Sequence, residues 1–115
     1  MVVHSSLGDL YLAQGDLEQA IRVYDQGLTL CRASGNRNLV RLIAVGLGAA
    51  YTLQGRLAEG GALLEKANSE GIRTGALLGH AYRVAWLSEV CRLTGRGEDA
   101  WQYARQALDL ARQFK

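Results

Sequence analysis

Three glycines, Gly15, Gly55 and Gly95, stand 40 residues apart, and a fresh helical pattern follows each. The phrases around them are alike. Leu7-Gly8-Asp9-Leu10-Tyr11-Leu12-Ala13-Gln14-Gly15 is matched by Leu47-Gly48-Ala49-Ala50-Tyr51-Thr52-Leu53-Gln54-Gly55, and more loosely by Leu87-Ser88-Glu89-Val90-Cys91-Arg92-Leu93-Thr94-Gly95. A fixed period of this length is the signature of units that cannot bury an apolar face alone and do so by stacking on the next copy. Three such units fit into 115 residues, at about 2–35, 36–75 and 76–115. They are expected to form a single domain, cut from a larger protein.

Composition narrows the class. Apolar residues make up 49% and charged residues 21%, an ordinary balance for a chain with a packed core. Net charge is +2, carried by eleven Arg and two Lys against eleven acidic residues, too small and dispersed to mark a nucleic-acid footprint. No apolar run is long enough to span a bilayer, and the start lacks the basic flank and apolar core of a signal peptide. Cys31 and Cys91 occupy different slots of the 40-residue frame, both of packing character. Two buried thiols in a reducing cytoplasm are therefore expected, without a disulfide.

Periodicity predicts six helices. The first runs from Val2 to Gln14, with His4, Leu7 and Tyr11 on one face. Gly15 stops it, because glycine takes the left-handed conformation that follows a helix end at little cost. Asp16 and Gln19 form a capping box for the second helix, which extends to Ala33 and buries Leu17, Ala20, Ile21, Tyr24, Leu28 and Cys31. The third spans Asn38 to Gln54 with Leu39, Leu42, Ile43, Leu47, Ala50 and Tyr51 inward. The fourth spans Leu57 to Arg73 with Leu57, Leu63, Leu64, Ala67 and Ile72 inward. Gly60 and Gly61 lie inside the fourth and cost about 1 kcal/mol each relative to Ala, which close approach to a neighbouring backbone would offset. The fifth starts near Gly75 or Ala76 and ends at Thr94, carrying Tyr82, Trp86, Leu87, Val90 and Cys91. The last runs from Glu98 to the C-terminus.

These phrases resemble the tetratricopeptide repeat, whose pattern is W-x2-L-G-x2-Y, then A-x3-F, then P. The first unit has His4, Leu7, Gly8, Tyr11, Ala20, Tyr24 and Gly27 at those positions. The second has Ala44, Leu47, Gly48, Tyr51, Gly60, Leu64 and Ala67; the third has drifted to Val84, Leu87, Ser88, Cys91, Ala100, Ala104 and Ala107. Small residues at Gly8, Gly48 and Ser88 face Ala20, Gly60 and Ala100 and let paired helices close up, while Leu7, Tyr11 and Tyr24 fill the flanks. The terminal proline is missing, with Arg32, Ile72 and Arg112 in its place. The period of 40 exceeds the common 34 by about 1.7 helical turns, so longer helices are expected. The period also lies in the HEAT range, but the L-G-x2-Y phrase favours the tetratricopeptide reading. The resemblance implies an all-α, right-handed α-α superhelix of three hairpins. The long period is similar to arrays in bacterial LuxR-type or MalT-like and cyclase-linked regulators.

No string in the chain carries catalytic or metal-binding chemistry. His4 and His80 occupy different frame positions, with His4 in the slot of a core aromatic, and no H-E-x-x-H, C-x-x-C, G-x-S-x-G or P-loop occurs. Neither enzymatic activity nor a cofactor is expected. The resemblance implies instead a protein- or peptide-interaction scaffold in a signalling protein, binding through a concave groove lined by the first helix of each unit. Its candidate residues are Ser5, Asp9 and Leu12; Leu42, Val45, Ala49 and Thr52; and Tyr82, Ala85, Glu89 and Arg92. A small-molecule or signalling-peptide sensor is the alternative, with a pocket lined by Leu12, Leu42 and Tyr82. Nucleic-acid binding through Arg41, Arg73, Arg83, Arg92 and Arg96 is a minor one. Trp101, Leu108, Leu110 and Phe114 make the last helix apolar on more than one side, so a further helix or a second copy is expected to cover it.

Overall fold

A computed structural model describes residues 2–75 and 79–113. Among them are six α-helices and no strand: α1 (Val2–Gln14), α2 (Leu17–Ser34), α3 (Arg37–Leu53), α4 (Leu57–Arg73), α5 (His80–Leu93) and α6 (Gly97–Gln113). The ends of α1 and α4 fall where periodicity places them. Helix α2 ends one residue later, and α3 starts and ends one residue earlier, than expected. Helix α6 starts one residue earlier, and its expected end at the C-terminus lies outside the described residues. The fifth helix starts later than expected. Gly79, at φ 78°, holds the left-handed conformation immediately before α5, and Ala76 of the expected start lies outside the described residues.

The chain reverses at evenly spaced glycines. Gly15, Gly35, Gly55, Gly75 and Gly95 all have positive φ, between 71° and 88°, so the 40-residue repeat is punctuated at every 20 residues. The three turns within hairpins share one hydrogen-bond pattern. The amides of Asp16, Arg56 and Arg96 donate to the carbonyls of Tyr11, Tyr51 and Cys91, at 2.9, 2.8 and 2.8 Å. This is the bond that closes a helix end around a left-handed residue. The next helix then starts on a polar cap. Asp16 accepts from the Gln19 amide at 3.4 Å. In the other two units the frame holds an arginine paired with an acid, Arg56 with Glu59 at 2.6 Å and Arg96 with Asp99 at 3.0 Å.

Two compact units divide the chain, Met1–Leu63 and Leu64–Lys115, with α4 contributing to both. The core of the first gathers Ala20, Tyr24, Leu28 and Cys31 of α2 against Leu39, Ile43, Leu47 and Ala50 of α3. Tyr24 is fully buried at its centre, and two glycines make room for its ring. A Cβ on Gly8 of α1 would lie 2.5 Å from the ring, and one on Gly46 of α3 also 2.5 Å from it. The phenol hydroxyl donates to the Asp9 carboxylate. Gly27 admits the Cβ of His4 in the same way, at 2.6 Å from where its own would stand. The close approach expected at Gly60 is present too: a Cβ there would be 2.8 Å from the Gly48 carbonyl oxygen and 2.5 Å from Thr52 Oγ1.

In the second unit α5 and α6 pair in the same way. Ser88, in the frame position of Gly8 and Gly48, donates to the Ala100 carbonyl at 2.6 Å. Val84, Leu87, Val90 and Cys91 are buried on α5. Where the first unit packs Cys31 and Ile43 together, the same frame positions hold Gly71 and Arg83. Arg83 is 3% exposed. Its guanidinium lies over Gly71, where a Cβ would collide with Nη2, and its Nε donates to Asn68 Oδ1 at 3.4 Å.

Some positions expected in the core are outside it. Leu42, Ile72 and Tyr82 are more than half exposed, and Leu7 is 39% exposed. The buried face of α3 runs through Leu39, Ile43, Gly46 and Ala50; Leu42 is exposed although Val45 and Ala49, three and seven residues further on and so close to its side of the helix, are buried. Ile72 sits in the last turn of α4, adjoining Arg73 and Thr74, both exposed. The clamp on Tyr24 gives a direct test. Replacing Gly46 by Ala should cost about 1–3 kcal/mol by overpacking, although Ala favours a helix over Gly. In a Tyr24→Leu background the same change should cost nothing or stabilise, as measured by urea unfolding in a double-mutant cycle.

Candidate functional site

The candidate groove residues do not share one exposure. On α1, Ser5 and Leu12 are half-buried and Asp9 is exposed, with its carboxylate engaged by the Tyr24 hydroxyl. On α3, Leu42 is 53% exposed, whereas Val45, Ala49 and Thr52 are buried. The reason is the central place of α3 in its unit, where it packs on α2 and also meets α1; Thr52 is further closed off by Gly60 of α4.

On α5 the candidates make a continuous outer strip. Tyr82 is 52% exposed and meets Trp86 edge to face, with centroids 6.4 Å apart and planes at 84°. Ala85 and Arg92 are exposed and Glu89 is half-buried. Arg92 forks onto Glu89, its Nε donating to Oε2 at 3.2 Å and its Nη2 to Oε1. That hydrogen-bonded pairing lowers the Glu89 carboxyl below its ordinary value and raises the Arg92 guanidinium. The strip thus offers an aromatic edge and face, a methyl, and a preset ion pair along successive turns of one helix.

Four of the five arginines named from sequence are buried or ion-paired. Arg41 and Arg83 are buried, with Arg41 donating to Asn38 Oδ1 at 2.8 Å. Arg92 and Arg96 are ion-paired. Of the five named from sequence, Arg73 is exposed and carries no such ion pair among the described residues. On α6, Trp101 is 64% and Leu108 52% exposed, Leu110 is half-buried, and Phe114 lies outside the described residues. The Arg105 guanidinium stands 5.9 Å from the Trp101 ring centre, a cation–π contact along the helix.

Two features went unread in the sequence. An open cleft of about 420 Å³ lies along α1 and α2, lined by His4, Asp25, Gln26, Thr29 and Leu30. His4 Nδ1 is buried and has no hydrogen-bond partner among the described residues. The second is His80 at the start of α5, whose Nε2 is likewise buried without such a partner. Burial, reinforced by the Arg83 charge, holds its imidazole below the usual 6.5.

Because the folded chain binds this proton less readily than the unfolded chain, the stability it accompanies is complete above pH 6.5 and declines as pH falls below that value. Urea unfolding at about pH 7.5 and about pH 5.5 should show a loss in the parent that His80→Gln reduces. The Glu59 and Glu89 carboxyls are held below their ordinary range and titrate at lower pH still.

Comparison with known proteins agrees with the hairpin geometry. No curated protein sequence matches the chain. Among solved structures, the fold is similar to the crystal structure of the TPR domain of Arabidopsis FLU. The TM-score is 0.88 at 17% identity, over 97% of this chain and 94% of that one. The family model described as tetratricopeptide repeat matches residues 1–67, which hold the best-kept copies of the Leu-Gly-x2-Tyr phrase and the glycine clamp around Tyr24. The chain belongs to the tetratricopeptide repeat family.

Proposed function

We propose that this chain is a protein- or peptide-interaction module of a signalling or regulatory protein, and that α5 presents its principal binding strip. Tetratricopeptide domains generally mediate protein–protein interaction and are generally non-catalytic. The observation that carries the α5 assignment is the exposed run of Tyr82, Ala85 and Arg92 beside Trp86, on a helix whose opposite face is anchored by Val84, Leu87 and Cys91. A rigid helix bearing an aromatic anchor and a formed ion pair loses little freedom when it engages an extended or helical segment. Leu42 supplies an apolar contact in the first unit. The scaffold reading is favoured over a small-molecule sensor because Leu42 and Tyr82 are each more than half exposed, unlike the lining of an enclosed pocket. The burial and pairing of four of the five arginines speaks against nucleic acid. The signalling context rests on the 40-residue period, and the reducing cytoplasm on the two buried free thiols.

A displayed peptide library selected on the 115-residue chain tests the reading. Tyr82→Ala combined with Arg92→Ala should weaken enriched peptides about tenfold or more, as loss of an anchor does, with the unfolding midpoint unchanged. Failure to enrich any peptide, or affinities indifferent to the double substitution, would sink it. A nucleic-acid mode would instead show binding that collapses steeply with added salt; we expect no retention on DNA or RNA at low salt.

A further inference from the structure

The internal repeat fixes what each helix face is meant to touch, and among the described residues two faces are without that contact. In the first unit, Ile21, Tyr24, Leu28 and Cys31 run as one stripe along α2. Tyr24, Leu28 and Cys31 belong to the core shared with α3, and Ile21 packs against it from the edge. The same frame positions on α6 are Trp101, Ala104, Leu108 and Ala111, and all four are exposed. Leu108 is 52% exposed where Leu28 is 4%. At the other end, α1 carries Ser6, Leu7 and Leu10 where α3 carries Gly46, Leu47 and Ala50. Leu7 and Leu10 are 39% and 59% exposed, against 3% and 0% for Leu47 and Ala50 and 2% and 6% for Leu87 and Val90 of α5.

The uncovered stripe of α6 is the counterpart of the α2 side of the α2–α3 junction, and the uncovered stripe of α1 is the counterpart of its α3 side. One chain therefore exposes both halves of a contact it already makes once internally. From this we infer that the chain self-associates head to tail, the α6 stripe of one copy packing on the α1 stripe of a second copy. The occupant follows from continuity with the α2–α3 junction. The side chains at the new contact are apolar or small on both sides, Trp101, Ala104, Leu108 and Ala111 against Ser6, Leu7 and Leu10. Because the two surfaces differ, the contact is heterologous: each added copy leaves one stripe of each kind free. The inference rests on reading α6 as an interaction face, and it is independent of the strip on α5.

Blocking the two stripes separately distinguishes this arrangement from a symmetric α6–α6 dimer. Leu10→Glu and Leu108→Glu alter exposed positions, and circular dichroism confirms folding; Leu10→Gln and Leu108→Gln serve as milder versions. Sedimentation of the parent chain up to about 1 mM, the weak end of specific association, should show mass rising with concentration. Each single variant should be monomeric alone, and the two mixed should form a one-to-one pair that grows no further, since each contributes one intact stripe. The Tyr82→Ala, Arg92→Ala chain should associate like the parent. A parent that stays monomeric, an assembly that survives Leu10→Glu, or two variants that fail to pair on mixing would each overturn the inference.

Discussion

The first unit depends on one aromatic ring held between two helices that have surrendered their side chains to it. Tyr24 is inaccessible to solvent, Gly8 and Gly46 meet it from α1 and α3, and its hydroxyl ends on Asp9. A glycine inside a helix is unfavourable by about 1 kcal/mol, and two are needed here to admit a single ring. Full burial of a large side chain contributes about 1.5–3 kcal/mol, and the ring also ties three helices into one contact. The hydroxyl is satisfied at its polar end, so burying the ring leaves no polar group stranded.

Much of the architecture was legible because its punctuation is backbone-driven. Left-handed glycines mark every reversal, and the limits of α1 and α4 follow from them. The interior was harder to read. Leu42 and Tyr82 match an inward helical spacing, but hydrophobicity alone does not report whether a neighbouring helix covers a given apolar position. Val45, Ala49 and Thr52 look like members of an open face when each repeat is considered alone. They are buried because α3 has neighbours on more sides than α1 does.

The compensation among repeats was written in the sequence but hidden by averaging over the copies. Gly46 aligns with Ser6 and Trp86 and so looks like noise, until it is set beside Tyr24, whose counterparts are Leu64 and Ala104. Likewise the apolar pair Cys31 and Ile43 becomes Gly71 and Arg83. A long cationic side chain fits at the latter position because the opposing residue has no side chain. Asn68 supplies a hydrogen bond there, where the first unit relies on apolar packing. The two sides of a junction fit as a pair, while the individual members change from one copy to the next.

The evenly spaced reversals also bear on how the chain reaches its fold. Each hairpin turn closes through a bond between residues five apart in sequence, and helices that are neighbours in sequence, such as α1 with α2 and α5 with α6, are neighbours in space. Contacts of that kind can form before distant parts of the chain have met, with little loop entropy to overcome. Gly15, Gly55 and Gly95 have nothing within 4 Å of where a Cβ would stand, so these reversals need no packed partner in order to form. The chain can therefore begin folding at any hairpin and grow outward, each formed helix pair serving as the template on which the next one condenses.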